Sequence, residues 1–403
     1  MSANGGPDER GRCLERAGHN VMNLDPEDVA LDLQTDIPPR AFDPHVVEAE
    51  AAAARGGVRE PDLQELATSV YGPAQYLALT RGRAAELAMA AALGKDRPVV
   101  VTPGMWRTTE RAFAMRGGTI ENAPRAPGST SDLDLDWLDA RMARGAVDFV
   151  VLEPSNGQLA GFPLSLANAR AVADRCKAHG AKLLVDATRV LANFAAVGPS
   201  PLAATRELLA LADVFFVSCA KECLVPHGAL LGVRSHEQQK AAFVQAFLGG
   251  TILEPLSSRA ALAAGLERLL GTDAEPIRER RRHLLRLASA LRDRGVPVVE
   301  PVGAHAVYVE LDALLHGKPK FAAHAFEGLL YRVAGVRAST GHSAALGKSL
   351  LRLILPVGRY GEAEVDAVAR GVTDTLARAA ELPTLTPVEP PPLFEIFTRY
   401  AAR

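Results

Sequence analysis

Cysteine is scarce in this chain, and its scarcity removes two architectures at once. Four cysteines in 403 residues (Cys13, Cys176, Cys219 and Cys223) are too few and too irregularly spaced for a disulfide framework, and Cys219 and Cys223 have no second ligand pair that would make a zinc site. They read as reduced, buried thiols. Long apolar runs are missing as well. No segment approaches the roughly 20 residues that cross a bilayer, and the chain starts polar and glycine-rich, so neither a membrane span nor a signal peptide is expected. An excess of one charge is also absent, the formal net charge being -2. The sharpest basic run, Arg278-Glu279-Arg280-Arg281-Arg282, carries an acid within it as solvated helix faces do, which leaves no electrostatic footprint for nucleic acid. There is no internal repeat, and the one low-complexity stretch is the alanine run from Ala51 to Ala54. At 48% hydrophobic and 23% charged, the chain has the balance of a cytoplasmic globular protein with a large core and two domains.

Apolar runs of strand length alternate with helical spacing. Strands are expected at Pro98 to Thr102, Phe149 to Leu152, Leu183 to Asp186, Val214 to Val217 and Ala229 to Val233, with helices from about Arg83 to Leu93 and Ser165 to His179. This alternation builds a doubly wound α/β domain whose ligands sit at the carboxyl ends of its strands. Met1 to about Asp25 reads as a loose polar arm. An amphipathic helix over roughly Glu275 to Arg294 leads to a second domain. That domain opens with Val296 to Glu300, where Pro297 suggests an edge strand, and continues through His305 to Val309 and Leu351 to Pro356. It closes with a helix from about Glu362 to Ala380 carrying Val365, Val368 and Val372 on one face. The expected division is an arm over 1–42, a large domain over 43–260, and a linking helix with a small domain over 261–403.

Two of the expected strands end in chemistry. One delivers an acid in Leu183-Leu184-Val185-Asp186, and the next delivers a lysine in Val214-Phe215-Phe216-Val217-Ser218-Cys219-Ala220-Lys221. An acid and a lysine at neighbouring strand ends are what pyridoxal phosphate (PLP) chemistry requires. The amine holds the aldehyde as a Schiff base, and the carboxylate keeps the pyridine nitrogen protonated so that the ring accepts electrons. Singly, an aspartate at a strand end is ordinarily a cap, and a lone lysine is ordinarily solvated. Context sets this pair apart, because Lys221 follows an apolar run where charge is costly and an ammonium pKa falls toward the range of an imine-forming amine.

From about Leu31 to the C-terminus, five segments occur in a recognisable order: Asp186-Ala187-Thr188-Arg189, Lys221-Glu222-Cys223-Leu224-Val225, Gly303-Ala304-His305-Ala306-Val307-Tyr308, Gly335-Val336-Arg337-Ala338 and Leu351-Arg352-Leu353-Ile354-Leu355-Pro356. Together they resemble the β-eliminating lyases, the tryptophanase and tyrosine phenol-lyase family of PLP enzymes. The resemblance implies the α/β aspartate aminotransferase fold (fold type I), in which a large domain with a mostly parallel seven-stranded sheet is joined to a smaller α+β C-terminal domain. It also implies pyridoxal 5'-phosphate as cofactor, a small amino-acid substrate, and a homodimer or dimer of dimers.

The resemblance assigns roles to individual residues. Lys221 is similar to the Schiff-base lysine and Asp186 to the partner of the pyridine nitrogen, with Arg189 nearby to hold that carboxylate ionised. Arg81-Gly82-Arg83 occupies the place of the phosphate loop at a helix start, where a solvated helix terminus is the plainer explanation, and Ser218 would add a hydroxyl to the phosphate. Trp106 falls where the family places neighbouring aromatics, one of which stacks on the cofactor, though a core or surface tryptophan fits the position equally. Asn156 would hydrogen-bond the phenolic oxygen, with Gln158 as the alternative. Arg352 resembles the arginine that grips the substrate carboxylate, against a structural arginine in a strand. Thr35 resembles a threonine assisting at the same carboxylate, against a turn former before two prolines.

Departures from the family narrow the reaction. The family's leaving-group tyrosine upstream of the phosphate loop has no counterpart in Ala51-Ala52-Ala53-Ala54-Arg55-Gly56-Gly57, and the segment around Leu256-Ser257-Ser258-Arg259 is short and also lacks a tyrosine. Ala220 replaces a second lysine and Pro226 an asparagine of the monovalent-cation site, so no metal is expected. The expected activity is therefore β-elimination from a β-substituted L-amino acid, with carbon–sulfur cleavage favoured over release of indole or phenol. Transamination, decarboxylation-linked deamination and a non-catalytic binding protein on the same fold remain as alternatives.

Overall fold

The computed structural model describes residues 5–56, 59–316, 321–389 and 397–403; Gly57 of the alanine stretch and the first four residues of the expected arm lie outside them. The described residues divide into two compact units. One comprises 37–281 with 357–359, the other 1–36 with 282–356 and 360–403. The divisions at 36/37 and 281/282 differ from the expected 42/43 and 260/261. On the C-terminal side, the helix Leu256–Gly271 and the start of the helix Glu275–Arg292 fold with the larger unit.

The larger unit is built on a seven-stranded sheet with the spatial order Gln75–Leu79, Ala229–Val233, Val214–Val217, Lys182–Asp186, Phe149–Leu152, Val99–Thr102 and Thr119–Asn122. Only Ala229–Val233 runs against its neighbours, so the sheet is mostly parallel as expected. The strands Phe149–Leu152, Val214–Val217 and Ala229–Val233 are buried throughout, the pattern of strands covered by helices on both faces. The flanking strands Gln75–Leu79 and Thr119–Asn122 mix buried or half-buried with exposed positions, which hid them from a search for apolar runs. Helix starts are marked by polar caps. Ser165 accepts the Asn168 N–H before Leu166–His179, and Ser235 forms a capping box with Gln238. One face of the sheet packs Leu184, Phe216 and Leu231 against Ala85, Met89 and Phe113.

The smaller unit contains the antiparallel sheet Ser339–Ser343, Lys348–Ile354, Ala306–Glu310, packed under Glu362–Ala377 through Val365, Val368 and Val372. Val296 to Glu300 is not a strand. It runs beside Ala306–Glu310 through Val299 N–H to Tyr308 O and Glu310 N–H to Pro297 O, and Pro297 has no N–H to extend the ladder. The expected loose arm is likewise corrected: Pro7–Arg16 is a helix, and Cys13, Leu14, Val21 and Leu24 are buried in a cluster with Tyr331. All four cysteines are free and buried. Among the described residues, no helix is long and apolar enough to cross a membrane.

The short helix Cys219–Glu222 is held by a buried ion pair. Glu222 accepts the N–H groups of Leu191 and Ala192 and the Nη2 of Arg280, each at 2.9 Å, and both charged side chains are 1% exposed. Nε and Nη1 of Arg280 have no hydrogen-bond partner among the described residues, so Glu222 is its main compensation. Removing one member of such a pair strands the other's charge. Arg280→Met is expected to lower unfolding free energy by about 3–5 kcal/mol in urea titrations, with partial recovery when Glu222→Gln is added. A loss below about 1 kcal/mol would make the pair energetically inert.

Candidate active site

The two strands that end in chemistry are parallel neighbours. Asp186 lies opposite Phe216, and the Ala187 N–H donates to Phe216 O at 2.8 Å, so both chains leave the sheet at the same edge. One leaves through Asp186. The other continues through Val217 and Ser218 into the helix that carries Lys221. Asp186 is buried, and its Oδ1 accepts the Thr188 N–H at 3.0 Å. Burial pushes the Asp186 carboxyl above its usual range, opposed by hydrogen bonds from Thr188 and by the positive charges of Lys221 and Arg189. Arg189 is itself buried, while Lys221 is half-buried and less enclosed than its apolar approach suggested.

Ser218 connects this pair to the helix Gly82–Ala92. Its N–H lies 3.4 Å from Thr188 Oγ1, and a methyl group added at Gly82 would sit 2.9 Å from Ser218 Cβ and 3.0 Å from its Oγ. Only glycine lets the helix start come this close to the serine. Amides at a helix N-terminus, the serine hydroxyl and the exposed Arg81 and Arg83 make a donor set suited to a phosphate. An amine and a carboxylate lie beside it. The residues present thus fit pyridoxal 5'-phosphate, with an anion cradle, an aldehyde-capturing lysine and an acid for the ring nitrogen.

The loop after Phe149–Leu152 adds Asn156. Its Oδ1 accepts the Gln158 N–H at 2.7 Å, and its Nδ2 donates to Glu153 at 3.2 Å. Gln158 directs its side-chain amide to Met105 O at 3.0 Å, which ties two strand-end loops together. Trp106 is half-buried and stands at the N-cap of the helix Arg107–Ala114. Two acids here were overlooked as site residues in the sequence. Glu86, on the helix that starts at Gly82, accepts from Thr108 Oγ1 at 2.9 Å and Thr109 Oγ1 at 3.3 Å, and Glu153 faces Asp186, Arg189 and Lys221. Each is an acid on an otherwise apolar face or strand end, the one signal that could have revealed it.

Arg352 and Thr35 belong to the smaller unit. Arg352 is half-buried on the central strand Lys348–Ile354, with its Nε donating to Ser339 Oγ at 3.1 Å. Leu33 O accepts the Ile354 N–H at 3.0 Å, which brings the segment holding Thr35 alongside the strand that holds Arg352.

The sequence profile of the β-eliminating lyases matches residues 45–352. The chain belongs to the β-eliminating lyase family. This lyase is 32% identical to the probable tryptophanase of Halobacterium salinarum, over 96% of this chain and 94% of the relative. It is 28% identical to the tyrosine phenol-lyase of Pasteurella multocida, over 97% and 94%. Its fold is similar to that of SPT solved with PLP, with a TM-score of 0.72 at 18% identity, covering 93% of this chain and 97% of the other. The lyase is thus a PLP-dependent enzyme of fold type I.

Burial raises the Glu86 carboxyl to about 7 and Glu153 to about 8, from an ordinary 4.5; Thr108 opposes the shift at Glu86, and the charge of Asp186 adds to it at Glu153. The folded chain therefore keeps both protons to higher pH than the unfolded chain. Their stabilising contribution is complete below 4.5, declines as pH rises, and is lost above about 7 and about 8. The slope is about 1.4 kcal/mol per pH unit for each proton. Urea midpoints of the cofactor-free protein should fall across this window and flatten in the Glu86→Gln, Glu153→Gln double variant. An unchanged slope would assign the dependence to other groups.

Proposed function

We propose that this lyase removes the β-substituent of an L-amino acid, with a thiolate as the favoured leaving group. The observation that carries the reading is the delivery of Asp186 and Lys221 to one sheet edge beside the Gly82–Ser218 cradle. Arg81, Gly82, Arg83 and Ser218 would hold the phosphate, Lys221 the aldehyde, Asp186 the ring nitrogen, Trp106 a ring face and Asn156 the phenolic oxygen. When bound, pyridoxal 5'-phosphate would supply an aldehyde for the substrate amine and a protonated ring able to take up electron density from Cα. Arg352 pairs with the substrate carboxylate, with Thr35 assisting. Lys221 takes the α-proton on Nζ as general base, and the Cβ–S bond breaks with its electron pair on sulfur. With one water, the net products are thiol, pyruvate and ammonia.

The missing tyrosine supports a thiolate, which needs less proton assistance than an aromatic carbon. Both tyrosines of the larger unit are already engaged: Tyr71 Oη lies 3.2 Å from Cys223 Sγ, and Tyr76 Oη donates to Gly72 O at 2.6 Å. We place the enzyme in the cytoplasm and as a homodimer, the assembly expected for this fold.

S-substituted cysteines incubated with the holoenzyme should yield pyruvate, ammonia and thiol in equal amounts, and Lys221→Ala should abolish turnover. Pyruvate from tryptophan or tyrosine alone would move the leaving group to carbon, and consumption of a keto acid would make the enzyme an aminotransferase. Arg352→Ala should raise KM by the equivalent of about 2 to 5 kcal/mol while leaving the visible band of the resting enzyme unchanged. An altered resting band with normal KM would instead move Arg352 to the cofactor or the scaffold.

A further inference from the structure

We propose that Glu153 is the positioning residue of the cofactor pocket, fixing the Asn156 amide where loops 103–106 and 153–158 meet. The inference rests on Asp186 and Lys221 as the centre of that pocket, and it adds a residue that the mechanism above does not use. Glu153 follows the buried strand Phe149–Leu152 and is 9% exposed. Its carboxyl accepts Asn156 Nδ2 at 3.2 Å. One buried acid thus serves a buried donor that carries a proposed cofactor contact. Asn156 is fixed at both ends, because its Oδ1 takes the Gln158 N–H at 2.7 Å, and the amide nitrogen retains a second N–H beyond Glu153.

The opposing loop closes on the same amide. Gly104 adopts φ +154°, and a methyl group there would lie 3.2 Å from Asn156 Nδ2. Gln158 Nε2 to Met105 O, at 3.0 Å, is a second tie between the loops. A carboxyl on this spot is costly to bury, and Asp186 faces it. An apolar side chain would fill the space at lower cost but would leave one Asn156 N–H without its acceptor. What Glu153 supplies is an acceptor that fixes the Asn156 amide.

A double-mutant cycle separates positioning from mere packing. The readout is the equilibrium affinity of the cofactor-free protein for pyridoxal 5'-phosphate, followed by its visible band, with thermal unfolding of the same cofactor-free proteins measured alongside. Glu153→Ala is expected to weaken affinity about tenfold, as a buried donor loses its acceptor. Asn156→Ala should do much the same, and the double variant should be no worse than the weaker single. Glu153→Gln keeps an acceptor oxygen and should recover most of the affinity. Additive losses, a Gln variant as weak as Ala, or losses that merely track unfolding temperature would overturn the assignment. If Glu153→Ala does not fold, the cycle between Glu153→Gln and Asn156→Ala carries the comparison. Lys221→Ala distinguishes the two levels. A retained band in that variant defeats the pocket itself, whereas a lost band with Glu153 variants binding like wild type defeats only the positioning role.

Discussion

Glu222 gathers three donors from two other elements, and this decides where its neighbour Lys221 stands. The Leu191 and Ala192 amides belong to the helix Val190–Val197, which follows the acid-bearing strand, and Arg280 comes from the helix Glu275–Arg292. The carboxylate therefore locks the lysine's short helix to the segment that follows Asp186. A four-residue helix has no stability of its own, because nucleation costs more than its few hydrogen bonds return. The Lys221 amine is placed by its neighbour's buried charge.

Around that anchor the pocket concentrates acids and bases that water no longer screens. Asp186, Glu86 and Glu153 are buried within one electrostatic neighbourhood with Lys221, and Arg189 joins it at Asp186 and Glu153. Burial raises all three carboxyls toward their neutral forms. At Asp186 the hydrogen bonds from Thr188 and the charges of Lys221 and Arg189 oppose that shift.

The parts legible in the sequence were those where one physical signal dominates. The strands Phe149–Leu152, Val214–Val217 and Ala229–Val233 appear with the bounds that their apolar runs predict, because a strand buried on both faces needs an unbroken run. That Asp186 ends one strand and Lys221 follows its neighbour was equally readable, since successive apolar runs of a doubly wound sheet run parallel and end on the same side. Glu153 and the Glu222–Arg280 pair were not readable. A buried acid is recognised by its partners, and those lie far along the chain: Arg280 is 58 residues from Glu222. The helix Pro7–Arg16 was missed because its polar, glycine-containing sequence resembles a solvated arm, and it is folded by tertiary burial of Cys13 and Leu14 rather than by propensity.

The close approach of Gly82 to Ser218 also constrains how this chain can drift. Each position limits the volume allowed at the other, although 136 residues separate them in sequence and they sit on different elements. A larger side chain at 82 is tolerable only if the loop at 218 retreats, and that retreat would carry Lys221 with it three residues on. Change at the helix start is therefore coupled to the location of Lys221. Variation at Gly82 and variation in the placement of that lysine constrain each other.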